Sequence, residues 1–403
     1  MSAIGSAEPV TELIAARLAQ RRQVYEAWFG VQSAPLAQCC HAMAERFARG
    51  GRLLAIGVSP TARSDVRHVV VEFVHPVIVG KRALPALGLV GDSAPLVTEV
   101  RLAAGADDIV MAFGNDPDLS VAIAAARVAG AITVAFAPLH ADWELVAPVG
   151  DPFIAQELVE TAYHVLWELV HVLFEHRGLL QGRTERRAHD AGPASFLYPF
   201  LADQEHDLEP VLADVAASAV LKAREVCELR EATLQSGGDR ALAAAATTLR
   251  GALDSGGRLM ALGNGGSATD ATDVVADFAM PPAGAGWPAR PALDLTADAA
   301  VLTAIANDIG VDAIFARQII AHGRAGDVVL VLSTSGSSTS AVDALGQARR
   351  QGLQSIALVG YDGGQIGAGG LADHVIVSPS QHIPRIQEAQ ATVYHLLREL
   401  VEL

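Results

Sequence analysis

One segment of strand followed by glycines occurs twice in this chain, and that repeat limits the possible architecture more than any other feature. Gly50-Gly-Arg-Leu-Leu-Ala-Ile-Gly57 and Gly256-Gly-Arg-Leu-Met-Ala-Leu-Gly263 agree at six of eight positions, at an offset of 206 (263 − 57). A second pair of anchors, Gln156-Glu157 with Tyr163-His164 and Gln387-Glu388 with Tyr394-His395, recurs at an offset of 231 (387 − 156). Two anchors in the same order mean an internal duplication. The second copy is longer by 25 residues (231 − 206), mostly within Pro281–Ala313. A length of 403 residues holds two such domains comfortably. The expected division is a first domain over 1–177, a linker over 178–206 and a second domain over 207–403.

Each copy alternates short apolar runs with helical patterns, which predicts α/β domains whose parallel sheets are covered on both faces. The expected strands of the first copy are Arg52–Ile56, Pro85–Val90, Ile109–Phe113, Ile132–Ala137 and a short one near Val146. Those of the second are Arg258–Leu262, Ala292–Leu295, Val328–Leu332, Ser355–Val359 and His374–Val377. Two helices, Val10–Phe29 and Ala37–Arg49, are expected ahead of the first sheet, and Val211–Gln235 and Asp239–Leu253 ahead of the second. The linker carries the basic cluster Arg183–Arg187, read as solvated, and the apolar run Phe196–Leu201.

A net charge of −16 argues against non-specific binding of nucleic acid through a basic face. The longest weakly polar run, Ala122–Leu139, is broken by Arg127, so no membrane span is expected. Met1–Thr11 lacks the basic-then-apolar pattern of a leader. Three cysteines (Cys39, Cys40 and Cys227) give no disulfide framework, which suits a reducing cytoplasm.

Chemistry concentrates in the second copy. The strand ending at Leu262 breaks into Gly263-Asn-Gly-Gly-Ser267 and opens a helix, the arrangement that presents free backbone N–H groups to an anion. The strand ending at Leu332 runs into Ser333-Thr-Ser-Gly-Ser-Ser338 before another helix. An ordinary helix cap needs one serine, and five hydroxyls in six residues point to a phosphate site. The glycine loop also fits the dinucleotide fingerprint. The nearest acidic partner, Asp294, lies 31 residues on (294 − 263) instead of about 20, and the serine turn has no place in that reading.

Gly263-Asn-Gly-Gly-Ser267, Asn307-Asp308, Ser333–Ser338, Asp362-Gly-Gly364 and Arg385-Ile-Gln-Glu388 with His395 resemble, in order, the phosphoheptose isomerase family of sugar isomerase (SIS) domain proteins. The resemblance implies two tandem SIS domains, each a five-stranded parallel sheet between helices (flavodoxin-like), and an aldose–ketose isomerase acting on sedoheptulose 7-phosphate or a similar sugar phosphate. It implies phosphate held by Asn264, Gly265, Gly266, Ser267, Ser333, Thr334, Ser335 and Ser338, with Asp308 and Gln387 on the substrate. Family members assemble as dimers or tetramers, so a dimer imitating four domains is expected. A relative with the same motifs binds a replication initiator without known catalysis, so a non-catalytic phosphosugar-binding or partner-binding protein is the alternative.

The family carries a His and a Glu four residues apart after the glycine loop, which with a later Gln and His surround zinc and the reacting carbons. In the second copy these places hold Asp273, Asp277, Gln387 and His395. With one inserted residue, so that Phe73 matches Phe278, the first copy retains His68, Glu72, Gln156 and His164. These four are the expected ligands of zinc or another divalent metal, with Glu72 and His164 as base and acid–base partner. The first copy has lost the anchor: its loop is Gly57-Val-Ser-Pro-Thr-Ala-Arg63, and its second turn, Phe113-Gly-Asn-Asp116-Pro-Asp118, carries two carboxylates that repel phosphate. The expectation is therefore a division of labour, with phosphate held by the second domain and the metal and acid–base tetrad in the first. The competing enzyme reading keeps the chemistry on Asp277 and His395. His75, His171 and His176 are read as structural or solvated.

Overall fold

The computed structural model describes residues 7–77, 81–175, 208–235 and 237–403. The linker 178–206, its basic cluster and apolar run, and His176 lie outside these residues. Two compact units are present. One gathers Glu225–Leu403 with Met1–Gln23 and Asp151–Glu157 from the first half of the chain, and is called the C-unit below. The other comprises Val24–Gly150 and Leu158–Arg224 and is called the N-unit.

The sheet of the C-unit contains β6 (Leu259–Leu262), β7 (Ala292–Asp294), β8 (Val328–Ser333), β9 (Gln354–Gly360) and β10 (His374–Ser378). All pairings are parallel and the order is β10-β9-β8-β6-β7. β6 and β8 are fully buried, as a parallel sheet covered on both faces requires. Helices α7 (Gly238–Asp254) and α13 (Ile383–Val401) pack with α8 (Gly266–Ala279) in a core that includes Leu249, Leu259, Val274, Phe278 and Leu397. A second cluster, built on Met260, Val329 and Val331 with Ala341 and Leu345 of α11 (Thr339–Arg350), covers the opposite face.

The N-unit repeats this plan with β1 (Leu53–Gly57), β2 (Ala86–Val90), β3 (Ile109–Phe113), β4 (Ile132–Ala135) and β5 (Trp143–Glu144), ordered β2-β1-β3-β4-β5 and parallel throughout. All ten expected strands are present. The duplication reaches the hydrogen bonds. Asp108 accepts from the Arg52 backbone N–H at 2.8 Å, and Asp327 accepts from that of Arg258 at 3.0 Å. The Phe73 carbonyl accepts from Leu84 N–H, and the Phe278 carbonyl from Arg290 N–H. This last pair aligns α2 (Pro60–Val74) with α8 in the register that matches His68 to Asp273 and Glu72 to Asp277.

The two helices expected before the first sheet are one, α1 (Ala7–Ala48), with Pro35 inside it. Proline removes one hydrogen bond and crowds the carbonyl four residues back, which here belongs to Val31. Val31 is 73% exposed, so water can serve that carbonyl and the helix continues.

Candidate functional site

Both anchor turns of the C-unit leave neighbouring strands, β6 and β8, between which the strand order reverses. Ligands of open α/β sheets bind beyond the carboxyl ends of the strands at this reversal. After β6 the chain turns through Gly263, where a Cβ would lie 2.2 Å from the Ser267 carbonyl oxygen, so only glycine permits the close return of α8. Gly265 occupies the N-cap of α8 and offers no side-chain cap. After β8, Ser338 occupies the N-cap of α11, and its side chain makes no cap hydrogen bond either. Gly336 has φ +60°, and a Cβ there would strike the Gly363 carbonyl oxygen at 2.2 Å. Asn264 Nδ2 donates to Ser340 Oγ at 3.0 Å, tying the two turns together. Ser267 and Ser333 are buried; Thr334, Ser335 and Ser338 are half-buried. Ser337 Oγ accepts from Gln365 N–H, so that hydroxyl is committed to the fold.

On the same unit α8 carries Asp273 and Asp277, and α13 carries Gln387 and His395, all buried. His395 Nε2 stands 3.5 Å from Asp277 Oδ2. Burial raises the Asp277 pKa to about 6, against the opposing pull of His395 and Arg398. Asp308 ends α9 (Ala299–Asp308) as an exposed residue and accepts from Asn307 Nδ2.

Further contacts of His395 come from the short first-half segment of the C-unit. Glu157 Oε1 lies 2.8 Å from His395 Nδ1, and the Phe153 ring stacks on the imidazole at 4.4 Å and 14°. Glu157 is itself fully buried. It accepts from Arg21 Nε and Nη2 at 2.8–3.0 Å and from Thr392 Oγ1 at 2.6 Å, with Arg230 Nη2 at 3.2 Å. The two guanidinium groups hold its carboxyl well below the usual carboxylate range, outweighing the opposing effect of burial. Phe153 also lines a cavity of about 240 Å³ with Arg17, Asp151, Trp287 and Glu399. Pro282–Ala285, from the stretch that lengthens the second copy, form part of its wall.

In the N-unit both corresponding turns are closed by their own side chains. Ser59 caps α2 by accepting from Ala62 N–H at 3.2 Å, and Pro60 removes a donor. Asp116 caps α4 (Pro117–Val128), accepting from Asp118 N–H at 3.1 Å, followed by Pro117. The tetrad helices bring His68 and His164 together and set Glu160 beside them. His68 Nε2 and His164 Nε2 are 3.3 Å apart, and Tyr163 Oη contacts His68 Nδ1 at 2.9 Å. Ligand atoms of His68, Glu160 and His164 all lie within 4.8 Å of one another, the only such group of three among the described residues. Burial and the neighbouring His164 push the His68 pKa well below the usual imidazole value, so the ring is neutral and ready to ligate. Glu72 Oε1 is 3.9 Å from His68 Nε2. Gln156 belongs to the C-unit segment Asp151–Glu157. His171 is buried, with its ring nitrogens at the carbonyls of Trp167 and Arg82.

Glu160 and Glu157 escaped the sequence reasoning for opposite reasons. Glu160 has no carboxylate counterpart in the second copy, where the matching position (160 + 231) is Ala391, although its i,i+4 spacing to His164 was a usable signal. Glu157 was visible only as an anchor of the repeat.

The SIS domain family profile matches residues 223–360. Phosphoheptose isomerase of Pelodictyon phaeoclathratiforme is 41% identical over 204 residues, which is 50% of this chain and 92% of that protein. Phosphoheptose isomerase of Citrifermentans bemidjiense is 43% identical over 192 residues, 47% of this chain and 95% of that protein. Among solved structures, tagatose-6-phosphate ketose/aldose isomerase from Escherichia coli aligns over 100% of this chain and 95% of its own, with a TM-score of 0.56 and 14% identity, a likeness of fold. Two parallel five-stranded sheets, the SIS profile and these relatives agree: the chain belongs to the phosphoheptose isomerase family of SIS-domain proteins.

Proposed function

We propose that this protein interconverts an aldose and a ketose phosphate, with a seven-carbon sugar of the sedoheptulose 7-phosphate class as substrate. The observation that carries this reading is the C-unit itself. Its two neighbouring turns end in helix N-termini with no side-chain cap, and the same unit holds the buried Asp277–His395 pair. Asn264, Gly265, Gly266, Ser267, Ser333, Thr334, Ser335 and Ser338 hold the phosphate through backbone N–H groups and hydroxyls. Gln387 and Asp308 serve the sugar hydroxyls.

Isomerisation moves one proton between adjacent carbons and one between their oxygens. Asp277 takes the proton from the carbon beside the carbonyl, leaving an enediolate, and returns it to the neighbouring carbon. His395 Nε2 carries the hydroxyl proton from one oxygen to the other. Anchoring the remote phosphate orients the reacting carbons and supplies binding energy to the step. A base with a pKa near 6 is ionised at neutral pH yet basic enough to accept a proton from carbon.

His68, Glu160 and His164 fit a divalent cation such as zinc, being two imidazoles and a carboxylate of the types that ion prefers. Tyr163 Oη lies 2.9 Å from His68 Nδ1, and the tautomer protonated there presents Nε2 as the ligand atom. When bound, such an ion supplies positive charge and Lewis acidity to an oxygen ligand. No helix among the described residues is long and apolar enough to cross a membrane. The described cysteines are unbonded, which supports a reducing cytoplasmic setting, and the family supports a homodimer.

The test is proton exchange in deuterated water with a panel of ketose and aldose phosphates. Deuterium entering at the carbon beside the carbonyl is the expected result. Thermal stabilisation by a sugar phosphate without any exchange would leave a phosphosugar sensor instead.

A further inference from the structure

We infer that Glu157, a residue of the first copy, is a positioning residue for His395 in the second, an assignment that rests on His395 being the proton carrier proposed above. The carboxylate can only accept and lies 2.8 Å from Nδ1, so a ring with a single proton carries it on Nδ1. Nε2 is then the bare nitrogen, 3.5 Å from Asp277 Oδ2 and able to take a hydroxyl proton. A second contact from the same segment fixes the ring plane, because Phe153 stacks on the imidazole at 4.4 Å and 14°. Asp151–Glu157 therefore sets both the tautomer and the orientation of a histidine more than 230 residues further along the chain.

The surroundings of Glu157 show that its carboxylate is built to stay ionised and still. Arg21 grips both oxygens, Thr392 donates to Oε2, and Arg230 stands against the same oxygen. Arg21, Thr392 and Arg230 face the carboxylate as donors, and Oε1 is placed to accept from His395 as well as from Arg21. The arrangement is that of a carboxylate that orients a catalytic imidazole without itself touching substrate.

Replacing Glu157 by Gln gives a sharp test. The arginines offer only donors and must capture the amide oxygen, which turns the amide NH₂ toward His395 Nδ1. Nδ1 must then accept, and the proton moves to Nε2. The experiment is nitrogen-15 NMR on the full chain labelled at histidine, with His395 assigned through His395→Gln, together with steady-state kinetics. The expected wild-type spectrum shows His395 with a protonated Nδ1 and a bare Nε2. In Glu157→Gln the two nitrogens exchange roles and kcat falls about 100-fold while KM changes less than 3-fold. Glu157→Asp, which keeps the carboxylate, restores the wild-type tautomer and at least a tenth of kcat. A wild-type His395 protonated on Nε2 overturns the inference, as does an unchanged tautomer or kcat in Glu157→Gln. The spectrum is read without substrate, so it decides the role of Glu157 even in a chain that turned over no sugar phosphate. It also decides from the wild type alone if Glu157→Gln fails to fold.

Discussion

The four βα turns of the two sheets start from the same geometry and end with opposite capacities. In the C-unit, α8 and α11 begin at Gly265 and Ser338, and neither residue caps the helix with its side chain. In the N-unit, α2 and α4 begin at Ser59 and Asp116, each capping its own helix and each followed by proline. A helix N-terminus has a fixed set of orphan donors, and these are offered to a ligand or consumed internally. The first copy has consumed them. The difference teaches that the donors an anion would use can be satisfied from within, with the fold left intact.

The most severe way to test the contrast is to remove the acid–base carboxylate of each copy in turn. Asp277→Asn is expected to lower kcat/KM about 1,000-fold, the order expected for a general base. Glu72→Gln should stay within about 2-fold, both measured by deuterium exchange. A large loss in Glu72→Gln with none in Asp277→Asn would move the chemistry to the first copy.

Converting one turn into the other comes next. Ser338→Asp gives α11 the cap that α4 already has. A carboxylate beside the phosphate should raise KM about 100-fold through like-charge repulsion. The same carboxylate stabilises the helix by about 0.5–1 kcal/mol through the cap and the helix dipole. Tm should therefore rise while phosphate affinity falls, a pair of opposite signs that a merely disruptive substitution would not give.

The metal prediction separates the ligand set expected from the repeat from the cluster His68, Glu160 and His164. Zinc titration followed by calorimetry should show one tight ion per chain, weakened about 10-fold or more in Glu160→Gln and His68→Ala. Glu72→Gln should bind zinc like the parent chain. The reverse order of Glu160 and Glu72 would restore the tetrad read from the repeat.

The smallest effect is in pH. Asp277 must be ionised to act as a base, so kcat/KM should fall about 10-fold per pH unit below about 6. Stability runs the other way. A carboxyl whose folded pKa is raised contributes most below its ordinary value and loses that contribution as pH rises through about 6. The Tm of the parent chain should drop relative to Asp277→Asn across that interval.

The fold was almost fully legible because a buried parallel strand leaves an apolar run that glycines punctuate, and the duplication let each copy check the other. Pro35 misled because its cost depends on whether water reaches the carbonyl of Val31, and exposure is not written in local sequence. The two turns proposed to hold phosphate were legible for a physical reason: their donors are backbone groups of consecutive residues. Side chains that converge from separate helices were harder. His68 and His164 were found through the repeat, whereas Glu160 has no twin to betray it. Glu157 meets His395 across 238 residues, and no spacing rule spans such a distance.

The interleaved make-up of the C-unit has a consequence for heredity. Its share of the chain includes Met1–Gln23 and Asp151–Glu157, and with them Arg21, Phe153 and Glu157. A gene truncated to its second half would encode the glycine loop, the serine turn, Asp277 and His395, yet lack the residues that grip that histidine. The residues of the first half that serve the C-unit sit at a few positions of α1 and of α5 (Pro152–Glu175). A duplicate whose own turns are capped thus still supplies side chains to the unit built by its sibling.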